Sequence, residues 1–214
     1  MPALADTALA RLQAEQLLAV VRAHSADAAV RTARALAAGG IRGIEITYTT
    51  PDAPAAIAEL ADDDELFVGA GTVLTGDQAE QAIQAGAEFI VCPSLALPVL
   101  ERGQEASVLT IPGALTPTEL ALASQHAEVI KLFPASLGGP SYMRALLAPF
   151  PDLKLVPTGG VSAENLGDWY AAGAFALGAG GDLCSNTMIA SGDYDGVTAN
   201  ARRYRSALDA LEAR

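Results

Sequence analysis

Two lysines occur in the chain, Lys131 and Lys154, and one of them stands where an ammonium group is costly. Lys131 lies inside Glu128-Val129-Ile130-Lys131-Leu132-Phe133-Pro134-Ala135, an apolar run with β-branched and aromatic residues closed by a proline, which reads as a strand. Burial disfavours the charged form of lysine. A neutral amine adds to carbonyl carbon, the opening step of Schiff-base chemistry. A strand-end lysine can also reach solvent along its methylene stem, so this residue alone leaves both readings open. Lys154 follows the turn at Pro151-Asp152 and is expected in solvent at the start of a strand.

A carboxylate shares the pattern. Alternation along Gly43-Ile44-Glu45-Ile46-Thr47-Tyr48-Thr49 places Glu45, Thr47 and Thr49 on one face and Ile44, Ile46 and Tyr48 on the other. The same parity groups Val129, Lys131 and Phe133, with Ile130 and Leu132 pointing away. If the two strands face each other, Glu45 and Lys131 meet as base and nucleophile for carbon–carbon chemistry. A structural ion pair is the competing account.

A third group of residues suits an anion. Pro157-Thr158-Gly159-Gly160-Val161-Ser162 and Leu177-Gly178-Ala179-Gly180-Gly181-Asp182 each place glycines after an apolar run. There backbone N–H groups can approach a phosphate closely. Asp182 opposes an anion unless its carboxylate points away. Arg22, Thr72, Pro93 and Pro112 close other apolar runs. His24 and His126 lack metal-pair spacing, Ser94 and Ser136 lack the partners of a hydrolase triad, and Trp169 and Tyr170 read as packing residues.

The elements that must hold these groups follow one rhythm: a short apolar strand, a turn rich in Gly, Thr, Ser or Pro, then an amphipathic helix. Strands are expected over residues 17–22, 44–48, 66–73, 89–93, 108–113, 128–133, 154–157 and 175–178. Helices are expected over 2–16, 26–38, 50 onward, 75–85, 116 onward, 138–148, 163–172 and 197–211. Thr116-Pro117-Thr118-Glu119 reads as a capping box. Eight modules without a linker predict one domain, 1–214, folded as an α/β single (β/α)8 TIM barrel with an additional N-terminal helix. A doubly wound open sheet uses the same alternation, but no G-x-G-x-x-G follows the first strand.

Composition narrows the class. The 214 residues carry a net charge of -12, which argues against nucleic acid and anionic membrane surfaces as partners. Hydrophobic residues make up 51%, and the mean hydropathy of +0.29 fits strands buried on both faces. No apolar run reaches bilayer length, and the first residues show no leader pattern. Cys92 and Cys184 lack metal-ligand spacing and read as reduced packing residues, which points to the cytoplasm.

As a set, Gly43-Ile44-Glu45-Ile46-Thr47, Val68-Gly69-Ala70-Gly71-Thr72-Val73, Ile111-Pro112-Gly113, Lys131-Leu132-Phe133-Pro134-Ala135 and Pro157-Thr158-Gly159-Gly160-Val161 resemble the 2-keto-3-deoxy-6-phosphogluconate aldolase family. That family includes 4-hydroxy-2-oxoglutarate aldolase and the phosphogalactonate aldolases. The resemblance runs from about residue 17 to 183. It implies a class I lyase on a (β/α)8 barrel, a homotrimer using no metal and no cofactor, which reversibly cleaves a 2-keto-3-deoxy-6-phospho sugar acid of the phosphogluconate type to pyruvate and glyceraldehyde 3-phosphate, with 4-hydroxy-2-oxoglutarate or the phosphogalactonate epimer as the alternative substrates. It implies Lys131 as the Schiff-base lysine and Glu45 as the acid/base. Thr47, Thr72, Pro93, Phe133 and Thr158 would line the substrate pocket, and Arg22 would meet an anionic group. Gly159, Gly160, Gly180 and Gly181 would contact phosphate. Thr49 stands where some members have arginine, a loss Arg22 offsets, and Gly181 where many have serine. A barrel isomerase in which Lys131 pairs with an anion, and a sugar-phosphate-binding barrel without turnover, are the readings of other classes.

Overall fold

The strands of the computed structural model, which describes residues 4–212, are short and run parallel throughout. In chain order they are β1 (Leu17–Val21), β2 (Gly43–Thr47), β3 (Phe67–Gly71), β4 (Phe89–Val91), β5 (Leu109–Ile111), β6 (Gly113–Ala114), β7 (Val129–Leu132), β8 (Lys154–Pro157) and β9 (Leu177–Ala179). Six of them form one sheet in the order β5-β4-β3-β2-β1-β9, and β6-β7-β8 form a second. The strand read as one run over 108–113 is two, because Pro112 between β5 and β6 has no N–H to give to a ladder. A single bridge, Thr158 to Gly178, connects the last strand of the second sheet to β9.

Parallel neighbours require a crossover, and helices supply it. They are α1 (Leu4–Glu15), α2 (Ala26–Ala38), α3 (Ala53–Ala61), α4 (Gly76–Gln84), α5 (Leu97–Ala106), α6 (Pro117–Ala123), α7 (Gly139–Leu147), α8 (Leu166–Ala171), α9 (Asn186–Ser191) and α10 (Tyr194–Glu212). Side-chain caps open several of them, including the box expected at Thr116–Glu119. Ser25 and Thr75 accept from the N–H groups of Ala28 and Gln78, and Thr116 with Glu119 forms the reciprocal capping box. Of the helix expected over 2–16, residues 2 and 3 lie outside the described residues, and Gln16 leaves it at φ 64°. The helix expected from 163 begins only at Leu166, because the Asn165 side chain first closes a turn onto the Ser162 N–H at 2.9 Å. The eighth apolar run pairs only from Leu177, and the last helix starts earlier than expected, at Tyr194.

Both sheets curl, and their two faces bury different things. Ile44, Ile46, Ile130, Leu132 and Leu155 pack outward among helix residues such as Leu36, Ile57, Leu120 and Met143. Phe67, Phe89, Val91, Leu109, Ile111, Val129 and Val156 gather on the concave side. There Phe67 and Phe89 meet with ring centroids 4.6 Å apart. Ala8 and Leu12 of α1 belong to this inner cluster, so the first helix plugs one end of the concavity. The opposite end, where the strands finish, carries the polar residues.

Candidate active site

Strand period two sends Glu45 of β2 and Lys131 of β7 to the concave face, where apolar strands enclose them. Glu45 is 2% exposed and Lys131 5%. Nζ of Lys131 lies 3.5 Å from Oε1 of Glu45 although the two strands belong to different sheets. The same nitrogen lies 5.4 Å from the ring centroid of Phe133. Room for the carboxylate comes from Gly71 at the end of β3, where a Cβ would run into Cγ and Cδ of Glu45 at 2.5 and 2.6 Å. Cys92 sits in the same enclosed layer. Burial pushes its thiol up to about 12, with Lys131 pulling the other way and Glu45 adding to the rise.

Lys154, the other lysine, pairs with Glu128 at the strand edge, and a third of its side chain is exposed. The sequence expectation that it meets solvent corresponds to this partly exposed surface pair.

A cavity of about 540 Å³ opens at the strand ends. Of the residues singled out in the sequence, Arg22, Phe133, Thr158, Gly159, Gly160, Gly180 and Gly181 line it. Thr47, Thr72 and Pro93 are not part of that wall. Thr47 is buried and donates to the Val21 carbonyl at 3.1 Å. Pro93 follows β4. Thr72 follows β3 in the left-handed region at φ 57°, a costly conformation for a β-branched residue. Arg22 Nη1 donates to the Thr49 hydroxyl at 2.7 Å, and Thr49 lies 2.8 Å from the Thr47 hydroxyl, so the guanidinium is braced at the rim.

The far wall consists of the two glycine loops. Gly159 and Gly160 adopt φ of 96° and 78°, values open to glycine at little cost. Among the described residues, the N–H groups of Gly160, Val161, Gly181 and Asp182 donate to no other protein group. Such a run of free donors suits an anion. Asp182 also lines the cavity, but its carboxylate accepts from Arg203 at 3.0 Å and from the Tyr204 hydroxyl at 2.9 Å. Its charge is therefore compensated from α10.

Sequence reasoning overlooked three residues that shape this wall. Asn165 donates from Nδ2 to the Gly160 carbonyl at 2.8 Å, and its Oδ1 takes the Ser162 N–H. The signal was available in Ser162-Ala163-Glu164-Asn165, a helix-entry pattern. Tyr204 and Arg203 gave none. The stripe Val197, Ala201, Tyr204, Leu208 announces a buried helix face, but not where a hydroxyl on it ends.

Comparison with known proteins agrees in family. Residues 9–200 match the family described as Aldolase: KDPG and KHG aldolase. A "2-dehydro-3-deoxy-phosphogluconate aldolase" of Treponema pallidum is 40% identical over 192 residues, covering 88% of this chain and 91% of its own. A "KHG/KDPG aldolase" of Escherichia coli is 37% identical over 186 residues, covering 86% and 87%. A KDPG aldolase of Legionella pneumophila, solved with pyruvate captured at low pH as a covalent carbinolamine intermediate, superposes with a TM-score of 0.82 at 28% identity. That match covers 91% of this chain and 96% of the other.

Proposed function

The chain belongs to the KDPG and KHG aldolase family, and on that footing we propose reversible aldol cleavage of 2-keto-3-deoxy-6-phosphogluconate to pyruvate and glyceraldehyde 3-phosphate. The observation that carries the reading is an enclosed lysine, 3.5 Å from an enclosed carboxylate, behind the Phe133 ring, which lines a cavity whose far wall carries free backbone N–H groups.

In the cleavage direction Lys131 Nζ, as the free amine, adds to the C2 carbonyl and gives a carbinolamine. Loss of water forms an iminium. Glu45 then takes the proton of the C4 hydroxyl, the C3–C4 bond breaks, and its electron pair flows into the iminium to leave an enamine while the aldehyde departs. Glu45 returns the proton to C3, and water hydrolyses the pyruvate iminium to free the amine. The iminium is the electron sink, so none of these steps calls for a metal or cofactor. Phe133 covers the reacting nitrogen. Thr158 faces the hydroxyl groups, and Arg22 holds the carboxylate end, braced from behind by Thr49 and Thr47. Gly159, Gly160, Gly180 and Gly181 receive the phosphate.

The reading extends to architecture. Counting β5 and β6 as one interrupted strand, we read the chain as a single (β/α)8 ring with α1 as its added N-terminal helix and 1–214 as one domain; the two parallel sheets and the Thr158–Gly178 bridge support that reading. Leu74, Leu97 and Leu137, which are 54%, 44% and 74% exposed, are side chains that a trimer interface would cover. Buried unpaired thiols at Cys92 and Cys184 suit the cytoplasm.

Borohydride reduction in the presence of pyruvate tests the chemistry. One covalent adduct located on Lys131 is the expected result, absent in Lys131→Ala. Glu45→Gln should keep the adduct and lose on the order of 10²–10⁴-fold in turnover. An unlabelled wild-type protein would remove the Schiff base from the reaction. Substrate choice is read separately: a preference for 4-hydroxy-2-oxoglutarate over the phosphorylated acid would move the assignment to the other branch of the family.

A further inference from the structure

One hydroxyl of the last helix touches both loops of the phosphate wall. Tyr204 is fully buried, and its phenol oxygen lies 3.0 Å from the Val161 carbonyl in the loop after β8 and 2.9 Å from Asp182 Oδ2 in the loop after β9. One phenolic proton therefore serves two acceptors, one on each loop. Burial and the neighbouring Asp182 carboxylate push its pKa upward, so the phenol keeps its proton. Around it the grip is continued by other side chains. Arg203 spans Asp182 at 3.0 Å and Glu164 at 3.5 Å, and Asn200 donates to the Asp182 and Leu183 carbonyls at 3.3 and 3.2 Å. Asn165 holds the Gly160 carbonyl. In a planar trans peptide the N–H points opposite to the C=O, so that contact turns the Val161 N–H away from Asn165.

We propose that Tyr204 and Asp182 are positioning residues for the phosphate end of the substrate, fixing the spacing of the two N–H-bearing loops from behind. The idea rests on the aldolase reading above. It also accounts for a carboxylate at an anion site: Asp182 acts as a strut, its charge compensated by Arg203, rather than as a repeller. The two roles predict opposite signs. A repelling Asp182, once removed, would tighten phosphate binding, whereas a strut, once removed, loosens it.

The experiment uses the full chain with Tyr204→Phe, Asp182→Ala and Asp182→Asn. KM and kcat are measured on the phosphorylated keto acid and on 4-hydroxy-2-oxoglutarate, and inorganic phosphate is titrated calorimetrically. Tyr204→Phe is expected to raise KM for the phosphorylated acid and the Kd for phosphate on the order of tenfold, the effect of one lost hydrogen bond. It should leave kcat and the unphosphorylated substrate unchanged. Asp182→Ala should weaken phosphate in the same way, and Asp182→Asn, which still accepts from the phenol, should recover part of the loss. Equal losses on both substrates, an unchanged phosphate Kd, or tighter phosphate binding in Asp182→Ala would each overturn the proposal. If Tyr204→Phe does not fold, the sign of the Asp182→Ala effect decides it. Absence of pyruvate labelling on wild-type Lys131 would instead sink the aldolase reading, and the phosphate titration distinguishes that failure from failure of the strut.

Discussion

Gly71→Ala puts the acid/base assignment under its most direct strain. The added methyl would stand 2.5 Å from Cγ and 2.6 Å from Cδ of Glu45. Unbonded carbons rest about 3.5–4.0 Å apart, so the carboxylate has to retreat by about 1 Å. It has little space to do so, being 2% exposed among packed strands. Gly71 is not among the positive-φ residues, so alanine meets no left-handed strain and the effect runs through Glu45. A displacement of that size at a reacting group costs about 10²-fold in rate. Overpacking costs about 1–3 kcal/mol, which for a chain of this length lowers Tm by about 2–12 °C. Turnover is followed by pyruvate release, stability by thermal melting, and the lysine by reductive labelling, which should persist because the atoms nearest the added methyl all belong to Glu45. Glu45→Ala removes the atoms that clash. On that background the same Gly71→Ala change should cost far less stability, a coupling that a double-mutant cycle measures directly. Wild-type turnover in Gly71→Ala, or strictly additive stability losses, would refute the argument.

Two further outcomes follow from the geometry. Thr72 holds a left-handed conformation that asparagine tolerates better; Thr72→Asn should gain about 1 kcal/mol of stability, seen as a higher Tm, while losing turnover. A variant that melts higher at full activity would release Thr72 from any part in the site. Burial pushes Cys92 and Cys184 from 9.0 up to about 12. Because the folded protein holds the thiols neutral, their contribution is complete below about pH 9 and is lost as pH rises toward 12, by about 1.4 kcal/mol per pH unit for each. Urea midpoints should fall across that window and fall less steeply in Cys184→Ala; a flat profile would contradict the burial argument.

Much of this architecture could be read because a strand repeats every two residues. Alternation alone sent Val129 inward and Ile130 and Leu132 outward, and together with the expected barrel closure it put Glu45 and Lys131 on facing surfaces. Capping chemistry was equally local: Ser25, Thr75 and the Thr116–Glu119 box act within their own turns. Features that depend on distant partners were opaque. Nothing near Tyr204 says that its hydroxyl meets Val161 and Asp182, and nothing near Asp182 says that Arg203 compensates it. Two helices lay outside the expected ones: α5, which opens with no capping side chain, and α9, whose six residues are too few to show a period. Gly71 could be seen as a glycine in a strand, but its purpose depends on a side chain of the neighbouring strand.

β1 takes its hydrogen bonds from β2 on one side and from β9 on the other. On the ribosome its β9-facing edge therefore stays bare until Leu177–Ala179, some 160 residues later, have emerged. An unpaired apolar edge recruits foreign strands, and long-range parallel pairing is slow. Leu17 to Val21 is accordingly the segment that a chaperone would shield in newborn chains, and the place where aggregation would start if synthesis stalled early.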